Sequence, residues 1–218
     1  MWLEWVFFFS AQMIPSRRFS KSVNMTMIKI FQIGFNKCAT TSLHRMVAAS
    51  GYKSVHWANG SLAKQLYINQ TTGRPILSGI DGFDCYTDME SPSLLLFGHR
   101  YFRELYAEYP NAYFVLNTRN KRDWLVSRSK HKKGYLLKTF CQQFNLTPRE
   151  VVQYWSLEWD KHHRDVRQFF AGQGNLLEFN VDSDSVDKLI DFCRPTFQLD
   201  SQFWGQHNTT ESKEKRTS

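Results

Sequence analysis

The sequence predicts an α/β fold, a single domain with a central parallel sheet flanked by helices. Three observations predict it. Short apolar runs that read as strands alternate with segments of helical period, the pattern of βαβ units. One run, AYFVLNT at residues 112–118, is apolar enough to be buried on both faces, as parallel strands are. The 218 residues suffice for one substantial core and fall short of two comfortable domains.

Taken in order, the elements follow from local chemistry. Residues 1–25 read as an N-terminal extension, flexible or membrane-touching. Its apolar run carries Glu4 and is too short to span a bilayer, and Arg17, Arg18 and Lys21 follow the run, the reverse of a signal peptide. The folded domain is expected over residues 26–206. Its first strand is residues 28–33, with Ile28, Ile30, Phe31 and Ile33. Leu43, Met46 and Val47 then recur at helical spacing, and Gly51 ends that helix. A strand over 53–57, a helix over 61–68, a turn at 71–75 and a strand over 82–87 follow. One helix is expected over 94–109, stopped before Pro110. After the strand at 112–118 comes a basic helix over 121–132. Thr147-Pro148-Arg149-Glu150 is a capping box with proline in the first turn, opening a helix to about 171. A last strand at 176–180, a last helix at 186–193 and a disordered polar tail over 207–218 complete the chain.

The function rests on MIKIFQIGFNKCATTSL, residues 27–43. A buried strand breaks at Gly34 and a helix begins at the hydroxyl residues Thr40, Thr41 and Ser42. Lys37 lies between, and Cys38 and Ala39 are small enough for backbone to approach a ligand. The free N–H groups and the dipole of a helix start attract an anion. The pattern is not G-x-x-x-x-G-K-[ST], because Thr40 stands where that motif has its lysine. A second anion-binding element is NAYFVLNTRNKRDWLVSRSKH, residues 111–131. Arg119 follows the strand at the carboxyl edge, where open α/β sheets bind ligands, and Ser127 lies eight residues on. The guanidinium fork suits a phosphate. The other basic residues, Lys121, Arg122, Arg128, Lys130, Lys132 and Lys133, read equally as a solvated face or a nucleic-acid patch. For Lys130–Lys133 the solvated face is the plainer reading, with steering of an acidic acceptor beside it.

KCATTSL closely resembles the 5′-phosphosulfate loop of sulfotransferases that use 3′-phosphoadenosine 5′-phosphosulfate (PAPS). In that family the loop reads roughly K-x-G-T-T, which Lys37, Thr40 and Thr41 match. Ala39 replaces the glycine, a mild departure unless φ must be positive. The Arg119 and Ser127 spacing resembles the family's 3′-phosphate element, and the resemblance spans roughly residues 28–204. An Arg-x-Gly element of the cytosolic enzymes is not evident. The resemblance implies a P-loop NTPase-like sulfotransferase fold, PAPS as co-substrate and PAP as product. It implies cofactor contacts from Lys37, Cys38, Ala39, Thr40, Thr41, Ser42, Arg119 and Ser127. Lys37 is also implied to be catalytic.

A base must take the acceptor's proton. Cytosolic members use the histidine of a Lys-Thr-His segment, and Tyr86-Thr87-Asp88 occupies the comparable place. Asp88 is therefore the expected base, ahead of Asp84, Glu90 and His56, with a helix N-cap near Pro92 as its structural alternative. The acceptor is expected to be a small molecule or a glycan. No metal requirement, nucleic acid or stable membrane insertion is expected, although the net charge of +8 fits an anionic partner. The four cysteines form no C-x-x-C pair, which argues against zinc. Cytoplasm is the expected location, while Asn-x-Ser/Thr triplets at Asn24, Asn59, Asn69, Asn145 and Asn208 keep the Golgi lumen as the alternative. The rival readings are a magnesium-dependent P-loop kinase or nucleotide hydrolase, and a non-catalytic anion- or nucleic-acid-binding module.

Overall fold

The computed structural model describes residues 27–205. The extension at 1–25, the tail at 207–218, and the Asn24 and Asn208 triplets lie outside those residues. Five strands form one parallel sheet: β1 Ile30–Gln32, β2 Ser54–His56, β3 Cys85–Thr87, β6 Tyr113–Thr118 and β7 Leu176–Asn180. Their order is β2-β3-β1-β6-β7, with every neighbouring pair parallel. Strands β4 Glu90–Ser91 and β5 Leu96–Phe97 form a separate antiparallel ribbon. The α/β architecture with a central parallel sheet is the one the sequence predicts.

Alternate residues of each strand serve opposite faces. Phe31, Tyr86, Phe114 and Leu116 face one core, which Leu62 and Leu66 of α2 (Ser61–Thr72), Phe102 and Leu105 of α3 (Phe102–Glu108) and Val166 of α6 (Pro148–Phe169) also enter. Ile30, Cys85, Val115, Leu177 and Phe179 face the other, with α1 (Thr40–Ala49) and α7 (Val186–Cys193). Burial on both faces explains why these strands read as continuous apolar runs. A third cluster lies beneath the turn that follows β1. It joins Phe35, Cys38 and Trp124 to Leu136 and Phe140 of α5 (His131–Phe144), and to Trp155 and Trp159 of α6.

Two expectations need correction. The helix expected over 94–109 exists only as α3. Residues before it form the ribbon and two short 3-10 turns. Leu95 adopts left-handed φ 54, and a Cβ on Gly98 would sit 2.8 Å from the Met89 carbonyl, so the chain is pressed flat against β4. The basic helix expected to 132 ends earlier, as α4 Lys121–Ser129, and α5 follows with left-handed residues at 132–134. Elsewhere β7 and α7 fall on the expected residues, and the capping box of α6 is present with both of its hydrogen bonds.

Asn69 is fully buried and donates to the carbonyls of Ile76 and Ser78, so that triplet offers no glycan attachment in the folded chain. Asn59 and Asn145 are exposed. Among the described residues no helix is long and apolar enough to cross a membrane.

Candidate active site at the carboxyl edge of the sheet

Residues 33–39 carry the chain from β1 into α1, and their backbone is unusual. A Cβ on Gly34 would sit 2.2 Å from both the carbonyl oxygen and Oδ1 of Asn117, so only glycine fits. Lys37 and Ala39 both take left-handed φ, 66 and 58. Ala39 is the N-cap of α1 and supplies no side-chain cap. The first-turn N–H groups are thus left for a ligand, with the helix dipole behind them. The alanine is therefore more than a mild departure. Its φ is positive, where a Cβ costs roughly 1–2 kcal/mol.

Four side chains from later in the sequence hold this turn. Asn36 N–H donates to Glu90 Oε1 at 2.9 Å. Arg128 donates to Asn36 Oδ1 and, at 3.1 Å, to Glu90 Oε2. Trp124 Nε1 donates to the Asn36 carbonyl at 3.0 Å. Asn117 Nδ2 donates to the carbonyls of Cys38 and Phe35, at 2.6 and 3.3 Å. Gln32 completes the frame from β1 itself. Its Nε2 donates to the Gly34 carbonyl and to Asn117 Oδ1, while its Oε1 accepts the Asp88 N–H at 2.9 Å. Glu90 and Arg128 are each 2% exposed, so this is a buried ion pair; both partners also bond Asn36, while the buried Nε of Arg128 has no partner. Sequence reading missed this frame. The available signals were Gln32 and Asn117, polar residues inside apolar strands.

The expected cofactor residues are divided by their surroundings. Lys37 is half-buried, and its carbonyl accepts from Arg119 Nη1 at 3.3 Å. Arg119 also pairs with Asp182 at 3.3 Å, and its buried Nε has no partner. Thr40 is buried, and Thr41 Oγ1 lies 3.4 Å from His56 Nε2. Ser42 donates its hydroxyl to the Gly205 carbonyl, which turns it toward the end of the domain. The Cys38 side chain packs in the cluster with Phe35 and Trp124, and burial pushes its thiol pKa up, so only its backbone faces a ligand. Ser127 is half-buried on α4, about two turns beyond the Asn120 cap.

The candidate bases also separate. Asp84 precedes β3 at the opposite edge of the sheet and accepts from Lys53 N–H. Glu90 is committed to Arg128 and Asn36. Asp88 caps no helix: it takes left-handed φ 50, and the turn at Pro92 is preceded by Ser91. Asp88 Oδ2 lies 3.7 Å from His56 Nε2, and its Oδ1 is buried without a partner. Burial, then the charge of Glu90, push the Asp88 carboxyl up to about 7, against Arg128, Lys37 and Lys132. Burial, then His44 and Arg45, push His56 down to about 4. Near neutrality this couple is a titrating carboxyl beside a neutral imidazole, not an ion pair. Thr87 Oγ1 donates to the Val55 carbonyl and so accepts from His56 Nδ1–H at 2.9 Å. That fixes the tautomer and leaves Nε2 as an acceptor facing Thr41 and Asp88.

The carboxyl edge thus combines a helix start prepared for an anion, two cationic side chains and a carboxyl poised to titrate. Residues 29–158 match the family described as Sulfotransferase domain. The chain belongs to the sulfotransferase family. The match runs from β1 into α6, so it takes in the turn at 34–39, Asp88, Arg119 and Ser127, and it stops short of β7 and Asp182. No curated protein matches the chain.

Proposed function

We propose that the chain transfers a sulfuryl group from PAPS to a hydroxyl or amine of a small-molecule or glycan acceptor. The observation that carries this reading is the uncapped start of α1 behind left-handed Lys37 and Ala39, with Arg119 bonded to the same turn. PAPS supplies a sulfur whose bond to the phosphate oxygen breaks as the acceptor oxygen or nitrogen bonds to it. Lys37 places positive charge where negative charge develops on the departing phosphate oxygen. Thr40, Thr41 and the backbone from Cys38 to Ser42 orient the 5′ group, and Arg119 and Ser127 take the 3′-phosphate. The unpartnered Nε of Arg119 supports that role, since a buried donor of this kind needs an acceptor. Asp88 receives the acceptor's proton, and neutral His56 offers its Nε2 to the Thr41 hydroxyl.

None of these roles uses a metal. Calorimetric titration with PAP and with ATP, with and without a chelator, tests the reading. PAP is expected to bind more tightly than ATP and to be indifferent to chelation. Tighter ATP binding, or loss of PAP binding on chelation, would overturn it in favour of a nucleotide kinase or hydrolase.

A further inference from the structure

Backbone strain in this chain is concentrated. Among the described residues ten non-glycine residues have positive φ, and eight of them are Lys37, Ala39, Trp57, Ala58, Asn59, Asp88, Lys132 and Lys133. Three of the eight belong to the turn and the base already described. The other five form two left-handed turns, one after β2 and one at the start of α5, and each ends in a left-handed glycine, Gly60 or Gly134. Left-handed conformations of bulky residues persist only where the surroundings enforce them, and such residues cluster at functional sites.

The two turns meet over Asp88. Trp57 N–H donates to the Thr87 carbonyl at 3.1 Å, which sets Trp57 beside the residue preceding Asp88. A Cβ on Gly60 would lie 2.6 Å from Ser91 Oγ, so this turn is pressed onto β4. From the other side, the Lys132 ammonium sits 4.8 Å from the centre of the Trp57 ring. Its charge is also felt at Asp88. Lys132 is itself exposed, as are Lys130 and Lys133 beside it, and what sets it apart is its contact with the ring. A basic helix that only solvated its lysines would need no such turn. Here the helix breaks at residues 132–134, and the break delivers one ammonium onto an aromatic face at the mouth above the base.

We propose that Trp57 and Lys132 form the acceptor subsite, and that it takes a hydroxyl compound carrying an anionic group, a carboxylate or sulfate, near the hydroxyl. This rests on the donor reading above. The charge balance supports it: Glu90 is already paired with Arg128, whereas the Lys132 ammonium lies over the Trp57 ring and can face an acceptor's anionic group. The ring offers a flat surface to a sugar or aryl ring, and Lys132 a charge-assisted hydrogen bond.

The test uses the full chain saturated with PAP, titrated calorimetrically with two matched pairs. One is 4-nitrophenyl glucuronide against 4-nitrophenyl glucoside, and the other 4-hydroxybenzoate against 4-hydroxybenzyl alcohol. The acidic member of at least one pair is expected to bind roughly tenfold or more tightly than its neutral partner. Which pair responds distinguishes a sugar from an aryl acceptor. Lys132→Gln should erase the preference and leave PAP affinity unchanged, and Trp57→Ala should weaken both members of the responding pair. Equal binding of acidic and neutral members, no binding of either acid to the PAP complex, or a preference that survives Lys132→Gln would overturn the proposal. Failure of PAP itself to bind would instead overturn the donor reading.

Discussion

Glu90→Gln separates the frame around the proposed phosphate-binding turn from the chemistry proposed for it. The amide keeps the size of Glu90 and an oxygen for the Asn36 N–H, but it removes the charge that Arg128 faces. Both partners are 2% exposed, so the arginine is left charged and uncompensated in the interior. Removing one member of a buried pair costs about 3–5 kcal/mol, against a total stability of about 5–15 kcal/mol. At roughly 2–4 °C per kcal/mol for a chain of this size, the melting temperature should fall by roughly 6–20 °C. Differential scanning calorimetry measures the fall, and PAP titration below the transition measures the turn. The double variant Glu90→Leu with Arg128→Met replaces the pair with apolar groups and should recover much of the stability. It leaves the Asn36 N–H and Oδ1 without their partners while Trp124 still holds the Asn36 carbonyl, so PAP should still bind about tenfold more weakly, the loss expected for one unmet buried donor. A melting shift under about 2 °C for Glu90→Gln, or wild-type PAP affinity in the double variant, would refute this account.

Four further outcomes are expected. With the acidic probes as acceptors, turnover should rise between pH 6 and 8 as Asp88 ionises around 7; Asp88→Asn, which asparagine's tolerance of left-handed φ should let fold, should remove that limb and cut the rate by about 10²–10⁴. A rising limb near 4, kept in the variant, would make His56 the base. Arg119→Ala should weaken PAP by roughly tenfold or more but adenosine 5′-phosphosulfate by only about fivefold, the share from its bond to the Lys37 carbonyl, as paired titrations would show. Ala39→Gly should raise stability by about 0.5–1 kcal/mol in urea unfolding, because relief of the left-handed Cβ exceeds glycine's entropic cost. His99, His162 and His163 are buried with lowered pKa values, caused mainly by burial. Their stability contribution is present above the ordinary 6.5 and lost as pH falls below it, at up to about 1.4 kcal/mol per pH unit for each; raised Asp88 opposes with one proton. Urea midpoints should therefore be lower at pH 5.5 than at pH 7.5.

What the sequence made legible was whatever local periodicity or capping encodes. The apolar run at 112–118 and the Thr147–Glu150 box announce their elements because a few neighbouring residues determine them. The 94–109 segment misled because its helical period is real in Phe102–Glu108, while the residues before it obey a non-local demand, the burial of Glu90 against Arg128. The hydroxyl-rich start of α1 marked the turn proposed to bind an anion. The left-handed φ at Ala39 was hidden, since alanine adopts it only when later residues impose it. Gln32, Asn117 and Arg128 stayed invisible as a frame because their partners lie in distant segments. Arg128 in particular looked like one more member of a basic face.

That distance also sets a timetable. Asn36 is bonded to Glu90 54 residues later and to Arg128 92 residues later, and Ile33 to His162 129 residues later. At roughly 5–20 residues per second, a ribosome needs about 5–20 s to supply Arg128 after Asn36 has been made. During that interval the loop motif exists as sequence and its frame is incomplete: Glu90, Asn117 and Trp124 are supplied one after another, and Asn36 still lacks Arg128. A nascent or truncated chain ending before α4 carries every residue of K-C-A-T-T-S and has no cradle for a phosphate. On the proposed donor reading, ligand capture would be a late event in folding, and PAP binding would report completion of the sheet rather than formation of its first βα unit.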